Sequence, residues 1–254
     1  MLPALFVSHG APTLPFDHVP ARDFLKGLGA SLPRPKAIVC ASAHWDTDAP
    51  ALNTPAVNGT IHDFHGFPED LYRIRYDAPG APGLAGDIEA LLKDSHARLD
   101  PRRGLDHGAW VPLMLMYPEA DIPVIQISVQ SRNSPAHHIA LGRTLAPLRA
   151  EGILLLGSGG FVHNLRALDR GDMAAPEPEW SSTFGDWLHA ALVERREDDL
   201  DNYRSLAPRA AFAHPTEEHI MPLFVAYGAG GAAPTRLHRS TTYGSLRMDA
   251  YAFA

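Results

Sequence analysis

The chain contains a single cysteine, Cys40. That excludes an intrachain disulfide and any zinc site built from several thiolates. Long apolar runs are missing too. Stretches such as Ile153–Leu156 fall far short of the roughly 20 residues that a bilayer-crossing helix needs. Lysine is scarce, occurring only at Lys26, Lys36 and Lys93 while arginine is abundant, and 22 Lys plus Arg against 29 Asp plus Glu give a net charge of −7. This argues against broad nucleic-acid or anionic-membrane binding. The opening segment Met1–Val7 has no basic n-region and no cleavage site; it does not read as a signal peptide, and a cytoplasmic protein is expected. Familiar catalytic signatures also fail. Gly157-Ser158-Gly159-Gly160 has Val162 where a dinucleotide fingerprint needs its third glycine, and no glycine loop is followed by a Walker A lysine. Leu156 stands where a serine-hydrolase elbow needs glycine, so Ser158 is a poor nucleophile, and Pro215 spoils a His-x-x-Glu-His zinc motif.

What is present is an ordinary globular composition of 254 residues, 45% hydrophobic and 20% charged, a length that leaves one or two domains open and is ordinary for a one-domain α/β fold. Apolar runs at Ala4–Ser8, Ala37–Ser42, Val124–Val129 and Ile153–Gly157 read as strands, with a further one near Ser245–Tyr251. Helical patterning falls on Ala21–Leu32, Gly83–His96, Ala109–Met116, Pro135–Arg149, Glu179–Arg196 and Pro215–Tyr227. Strands alternating with helices predict an α/β fold, a mostly parallel central sheet with helices on both faces. Ligands in such sheets bind beyond the carboxyl ends of the strands.

Histidine, at 14, outnumbers phenylalanine, at 10, and its position is informative. The first strand exits into Ser8-His9-Gly10, the second into Ser42-Ala43-His44-Trp45, and the Ile153 strand into Gly160-Phe161-Val162-His163. One histidine at a strand end is usually a hydrogen-bonded capping residue. Three on one sheet edge suggest converging imidazoles, which suit Zn, Fe, Cu or Ni. His219 is a fourth candidate, placed in the first turns of a helix opened at Pro215, and is preferred to His214, which precedes that helix. Two further clusters stand out. Asp106-His107 at a helix entrance reads either as an N-cap beside an exposed imidazole or as an acid–base pair near a metal. The loop around His62, Phe64, His65 and Phe67 reads either as a segment pinned by its aromatics or as a wall for a flat aromatic ligand.

Taken in order, Ser8-His9-Gly10-Ala11-Pro12, Ser42-Ala43-His44-Trp45, Ile61-His62-Asp63-Phe64 with Gly66-Phe67-Pro68, Asp106-His107-Gly108-Ala109-Trp110, His163-Asn164-Leu165 and Pro215-Thr216-x-Glu218-His219 resemble the DOPA 4,5-dioxygenase-type extradiol ring-cleaving enzymes. These are class III extradiol dioxygenases, alongside the catalytic subunit of protocatechuate 4,5-dioxygenase. The resemblance runs from His9 to Gly244-Ser245-Leu246. It implies a single catalytic α/β domain over residues 1–254 with a metal at the carboxyl edge of the sheet, and His9, His44 and His219 as its ligands. It implies a further ligand or a catalytic base at His163, and His107 over the substrate. Protocatechuate-type relatives use a glutamate as third ligand, so Glu218 and His219 stay alternatives there. His65 departs from the expected pattern and adds a polar contact to the ring substituent or nothing.

The implied reaction opens a catechol ring and inserts both atoms of O₂. The implied partners are thus a small catechol and O₂, with homo-oligomerisation left open. The implied cofactor is one divalent metal, Fe(II) for activity. Imidazole-rich sites bind zinc more tightly than Fe(II), so protein purified in air is expected to carry Zn(II), which has no redox chemistry. Two rivals stand beside this reading. One is a zinc hydrolase in which Glu217 or Glu218 activates water; the other is a domain whose histidines only hold a metal. DOPA, caffeate, dihydroxyphenylacetate and protocatechuate all remain open as substrates, as does 4,5 against 2,3 cleavage.

Overall fold

The computed structural model describes residues 1–232 and 234–254. In chain order the strands are β1 (Ala4–Ser8), β2 (Ala37–Asp46), β3 (Ala51–Asn53), β4 (Arg98–Asp100), β5 (Val124–Val129), β6 (Ile153–Gly159), β7 (Thr235–His238), β8 (Thr241–Thr242), β9 (Leu246–Arg247) and β10 (Ala250–Phe253). An eight-stranded sheet has the order β4-β3-β5-β2-β6-β1-β10-β7, and β8 pairs with β9 separately. Its centre, β5-β2-β6-β1, is parallel. The flanking pairs β3–β5, β1–β10 and β10–β7 are antiparallel. The expected α/β fold with a mostly parallel sheet is therefore what the chain adopts.

The helices are α1 (Pro20–Leu28), α2 (Pro82–Leu91), α3 (His107–Met116), α4 (Pro135–Leu145), α5 (Glu179–Val193), the short α6 (Glu197–Asp201), α7 (Tyr203–Leu206) and α8 (Ala210–Ala213), and α9 (Met221–Ala229). The central strands are apolar on both sides, and their alternation divides them between two cores. Phe6, Val39 and Leu155 join Ile139 of α4, Phe184 of α5 and Phe224 of α9. Val7, Cys40 and Leu154 join Leu25 of α1 and Trp110 of α3 on the other face. Cys40 is fully buried, as the apolar run around it predicts. No helix among the described residues is long and apolar enough to cross a membrane.

Three differences from the sequence reading bear on the site. β2 continues past Ser42 to Asp46. Its register against β5 jumps there, from Ser42 opposite Ser128 to Asp46 opposite Val129. Such a bulge re-aims side chains, and His44 lies inside it, partly exposed at the sheet's carboxyl edge. The helix expected from Pro215 starts at Met221 instead. A start at Pro215 would put Pro222 in the helix interior, where it lacks an N–H and clashes with the carbonyl of Glu218; at the second helical position that N–H has no partner to lose. His219 therefore lies in a turn just before α9. The single C-terminal strand resolves into β9 and β10, joined through Met248 and Asp249.

Candidate metal centre

His9 follows the last residue of β1 and is held by its backbone N–H to Gly159 O at 3.0 Å. Gly10, with φ of +67°, then turns the chain away in a conformation that suits glycine. His44 comes from the β2 bulge and His219 from the turn before α9. Their Nε2 atoms converge: His9 lies 3.1 Å from His44, and His219 lies 3.2 Å from His44.

The far edge of each ring fixes its tautomer. His44 Nδ1 lies 3.2 Å from Asp63 Oδ2, and His219 Nδ1 lies 3.0 Å from Glu218 Oε1. A carboxylate only accepts, so His219 donates from Nδ1 to Glu218, and the negative charge of Asp63 beside His44 Nδ1 favours the proton on that nitrogen as well. His9 Nδ1 lies 3.2 Å from Ser158 Oγ. The Ser158 hydroxyl donates to Gly108 O, which leaves its oxygen to accept from His9 Nδ1–H. That carbonyl is free because Pro112, four residues along α3, has no N–H to close the helical bond. All three Nε2 atoms thus present bare lone pairs to one another. Without a cation between them the arrangement is repulsive. Ligands about 2.0–2.1 Å from one ion lie about 2.8–3.4 Å from each other between octahedral and tetrahedral angles, and the two observed spacings fall inside that range. The three nitrogens fit a divalent metal.

Burial sustains this state. It is the main cause that holds His9 and His219 well below the usual histidine range, with the neighbouring histidines adding to it. Burial, then the charge of His107, lowers His44 to about 3. The rings are neutral at pH 7, as ligands must be.

The other expected residues are placed around this trio. His163 stacks flat on His219, with centroids 3.4 Å apart and planes 6° from parallel. It groups with Glu218 and His219 rather than with the three converging nitrogens. Burial chiefly lowers it to about 4. His107 opens α3 and is buried, its ring 3.8 Å from that of His44. The exposed turn residue considered above is not observed. Its Nδ1 donates to Asp63 Oδ2 at 3.0 Å and its backbone N–H to Asp63 Oδ1 at 2.9 Å. Asp106 is the N-cap of α3, accepting from Ala109 N at 3.2 Å. It is also held by Ser42 Oγ at 2.6 Å and by Arg103 Nη2 at 2.7 Å.

Phe64 presents an edge to His107 at 5.8 Å and packs on Phe67 and Tyr72 at 5.3 and 5.2 Å. His62 donates from Nε2 to Ile74 O at 3.1 Å, a contact internal to the loop. His65 is exposed. His214 is buried, with Nε2 donating to Phe161 O at 3.1 Å, and stands outside the metal trio. Sequence reasoning did not single out Asp63 or the supporting role of Ser158. Asp63 lay within a quoted motif, but nothing in a loop's sequence tells which of four neighbouring side chains turns inward.

An α/β sheet with three metal-ready imidazoles at its carboxyl edge defines a class of metalloenzyme. Comparison with known proteins narrows it. Residues 4–253 match the family model described as the catalytic LigB subunit of aromatic ring-opening dioxygenase. A protein of Beta vulgaris named 4,5-DOPA dioxygenase extradiol is 44% identical, over 98% of this chain and 95% of that protein. One of the same name from Escherichia coli K12 is 42% identical over 90% and 85%. A crystal structure of an uncharacterized protein from Escherichia coli K12 superposes with a TM-score of 0.84 at 36% identity, covering 100% of both chains. The chain belongs to the LigB family of aromatic ring-opening dioxygenases.

Proposed function

We propose that the whole chain is one catalytic domain, an Fe(II)-dependent extradiol dioxygenase that opens the ring of a substituted catechol and inserts both atoms of O₂. The observation that carries this reading is the trio of bare Nε2 atoms on His9, His44 and His219 in a member of this family. Bound iron supplies the electron exchange with O₂ and lowers the pKa of the phenol. The chain's own residues then have distinct tasks. His9, His44 and His219 hold the metal. His163, neutral at pH 7, accepts a phenolic proton, and His107, at the mouth of α3, handles the second proton transfer. Phe64 and Phe67 form a wall beside the aromatic ring, and His62 holds that wall in shape. His65 has the exposure to meet the ring substituent.

The zinc-hydrolase reading needs a free carboxylate beside the metal. Glu217 instead accepts from Tyr203 OH at 2.6 Å and pairs with Arg204 at 3.3 Å. Glu218 is engaged by His219 Nδ1 and by Thr216 Oγ1 at 2.8 Å. Both occupations favour the oxygenase.

The test is anaerobic loading of metal-free protein with Fe(II) or Zn(II), followed by a catechol panel read by absorbance and an oxygen electrode. The iron form is expected to consume O₂ in proportion to catechol and the zinc form none. Equal rates in both forms, or no uptake with any catechol, would overturn the proposal.

A further inference from the structure

One carboxylate touches two imidazoles of this site at once. Asp63 Oδ2 accepts from His107 Nδ1 at 3.0 Å and lies 3.2 Å from His44 Nδ1. Its other oxygen accepts the backbone N–H of His107 at 2.9 Å. The two rings sit side by side on it, their centroids 3.8 Å apart. The main chain leading to Asp63 is anchored without help from its side chain. Ile61 N donates to Leu105 O at 2.8 Å, Trp110 Nε1 donates to Ile61 O at 3.0 Å, and His62 donates to Ile74 O.

We propose that Asp63 is a positioning residue that sets the tautomer of His44 and His107 together. With both protons held on Nδ1, Nε2 of His44 is left bare for the metal and Nε2 of His107 is left bare as a proton acceptor. The His44 half needs only a metal site; the His107 half rests on the ring-opening reading.

The geometry makes an unusual prediction about substitutions. In Asp63→Asn the backbone N–H of His107 keeps the amide oxygen at the Oδ1 position. The NH₂ must then occupy the Oδ2 position and donate toward both Nδ1 atoms. Each ring can accept only by moving its proton to Nε2, and a protonated Nε2 on His44 cannot ligate. Asp63→Ala leaves room for water, which accepts from Nδ1–H readily. The isosteric variant is therefore expected to be the more damaging one. A purely structural role predicts the opposite order, because asparagine keeps the shape and alanine does not.

The experiment measures Zn(II) affinity of full-length wild type, Asp63→Asn and Asp63→Ala by competition with a chromophoric chelator. The expected order is wild type, then Ala, then Asn, with Asn weakened about 10–100-fold, the usual effect of losing a ligand's supporting partner. In iron-loaded protein at saturating metal, kcat should follow the same order. Long-range ¹H–¹⁵N spectra of wild-type metal-free protein should show His44 and His107 protonated at Nδ1, a reading that does not depend on a variant folding. Asn binding zinc as tightly as Ala or better, or an Nε2–H signal on either wild-type ring, overturns the proposal. If the zinc order and the spectra hold but no iron-loaded protein consumes O₂, the Asp63 assignment to His44 stands and the ring-opening reading falls.

Discussion

His107 and Ser158 occupy the same neighbourhood and lead to different expectations. His107 touches the ring of His44, but its nitrogens are not among the three that converge. His107→Gln should keep metal content near the wild-type value and leave thermal stability almost unchanged. It should lower kcat by about 10²–10⁴, the usual contribution of a positioned acid–base group, and change one limb of the pH profile or the product. Unchanged kcat, pH profile and product would remove it from the chemistry. Ser158 is the reverse case: it meets no substrate, yet it accepts from His9 and donates to Gly108 O. Ser158→Ala should weaken metal binding by about 10-fold or more. It should also cost about 1–3 kcal/mol, because a buried carbonyl and a ring N–H lose their partner; chelator competition and urea melts measure the two effects. The ligand histidines were legible in the sequence because strand exits in a parallel sheet share one edge, so His9 and His44 had to be neighbours. Ser158 and Asp63 were not, because a hydrogen bond between residues 149 or 44 positions apart depends on rotamers and loop paths.

The elements that carry these residues differ in how they announce themselves. β1, β2, β5 and β6 are each built on a buried apolar run that is read directly, though β2 and β6 continue past the expected ends at Ser42 and Gly157. β3 and β4 have three residues each, too few to show a period; their pairing partners define them. α3 starts two residues before the expected Ala109, directly after Asp106, whose reading as an N-cap the structure bears out. That start is tightly built. A Cβ on Gly108 would lie 2.4 Å from Ser42 Oγ and 2.9 Å from His44 Cδ2. Gly108→Ala should therefore displace His44, cost about 1–3 kcal/mol as overpacking does, and weaken metal binding. Gly86, inside α2, has nothing within 4 Å of its Cβ position. Gly86→Ala should instead stabilise by about 0.5–1 kcal/mol with activity intact. Thermal melts of the pair with and without metal check both; equal behaviour would contradict the tight docking of α3 on the site.

At the scale of the whole molecule, the fold stores an unusual number of neutral imidazoles. His9, His138, His214 and His219 are buried and His44 and His163 mostly so, and all six are depressed, in each case chiefly by desolvation. His44 and His214 fall to about 3, and His138 and His163 to about 4. In the unfolded chain each titrates near 6.5. Between that value and the folded one the unfolded state binds more protons, so each group's contribution is complete above about pH 6.5 and is lost as pH falls. The limiting slope is about 1.4 kcal/mol per pH unit for each such histidine, and several act in the same window. Asp63 does not offset the loss. Burial raises it, but the hydrogen bonds and charge of His107, with His44, bring it down to about 2, so its own contribution fades only at lower pH. Metal-free protein is therefore expected to lose stability steeply from pH 7 to pH 5. Metal-loaded protein should start higher at pH 7, since a ligand bound only to the folded state adds stability. It should converge on the metal-free curve as protons compete for the three Nε2 atoms. Urea midpoints across this range, with metal and with chelator, decide the matter. A flat metal-free curve would mean that the buried rings admit protons without unfolding, and parallel curves would place the metal away from the histidines.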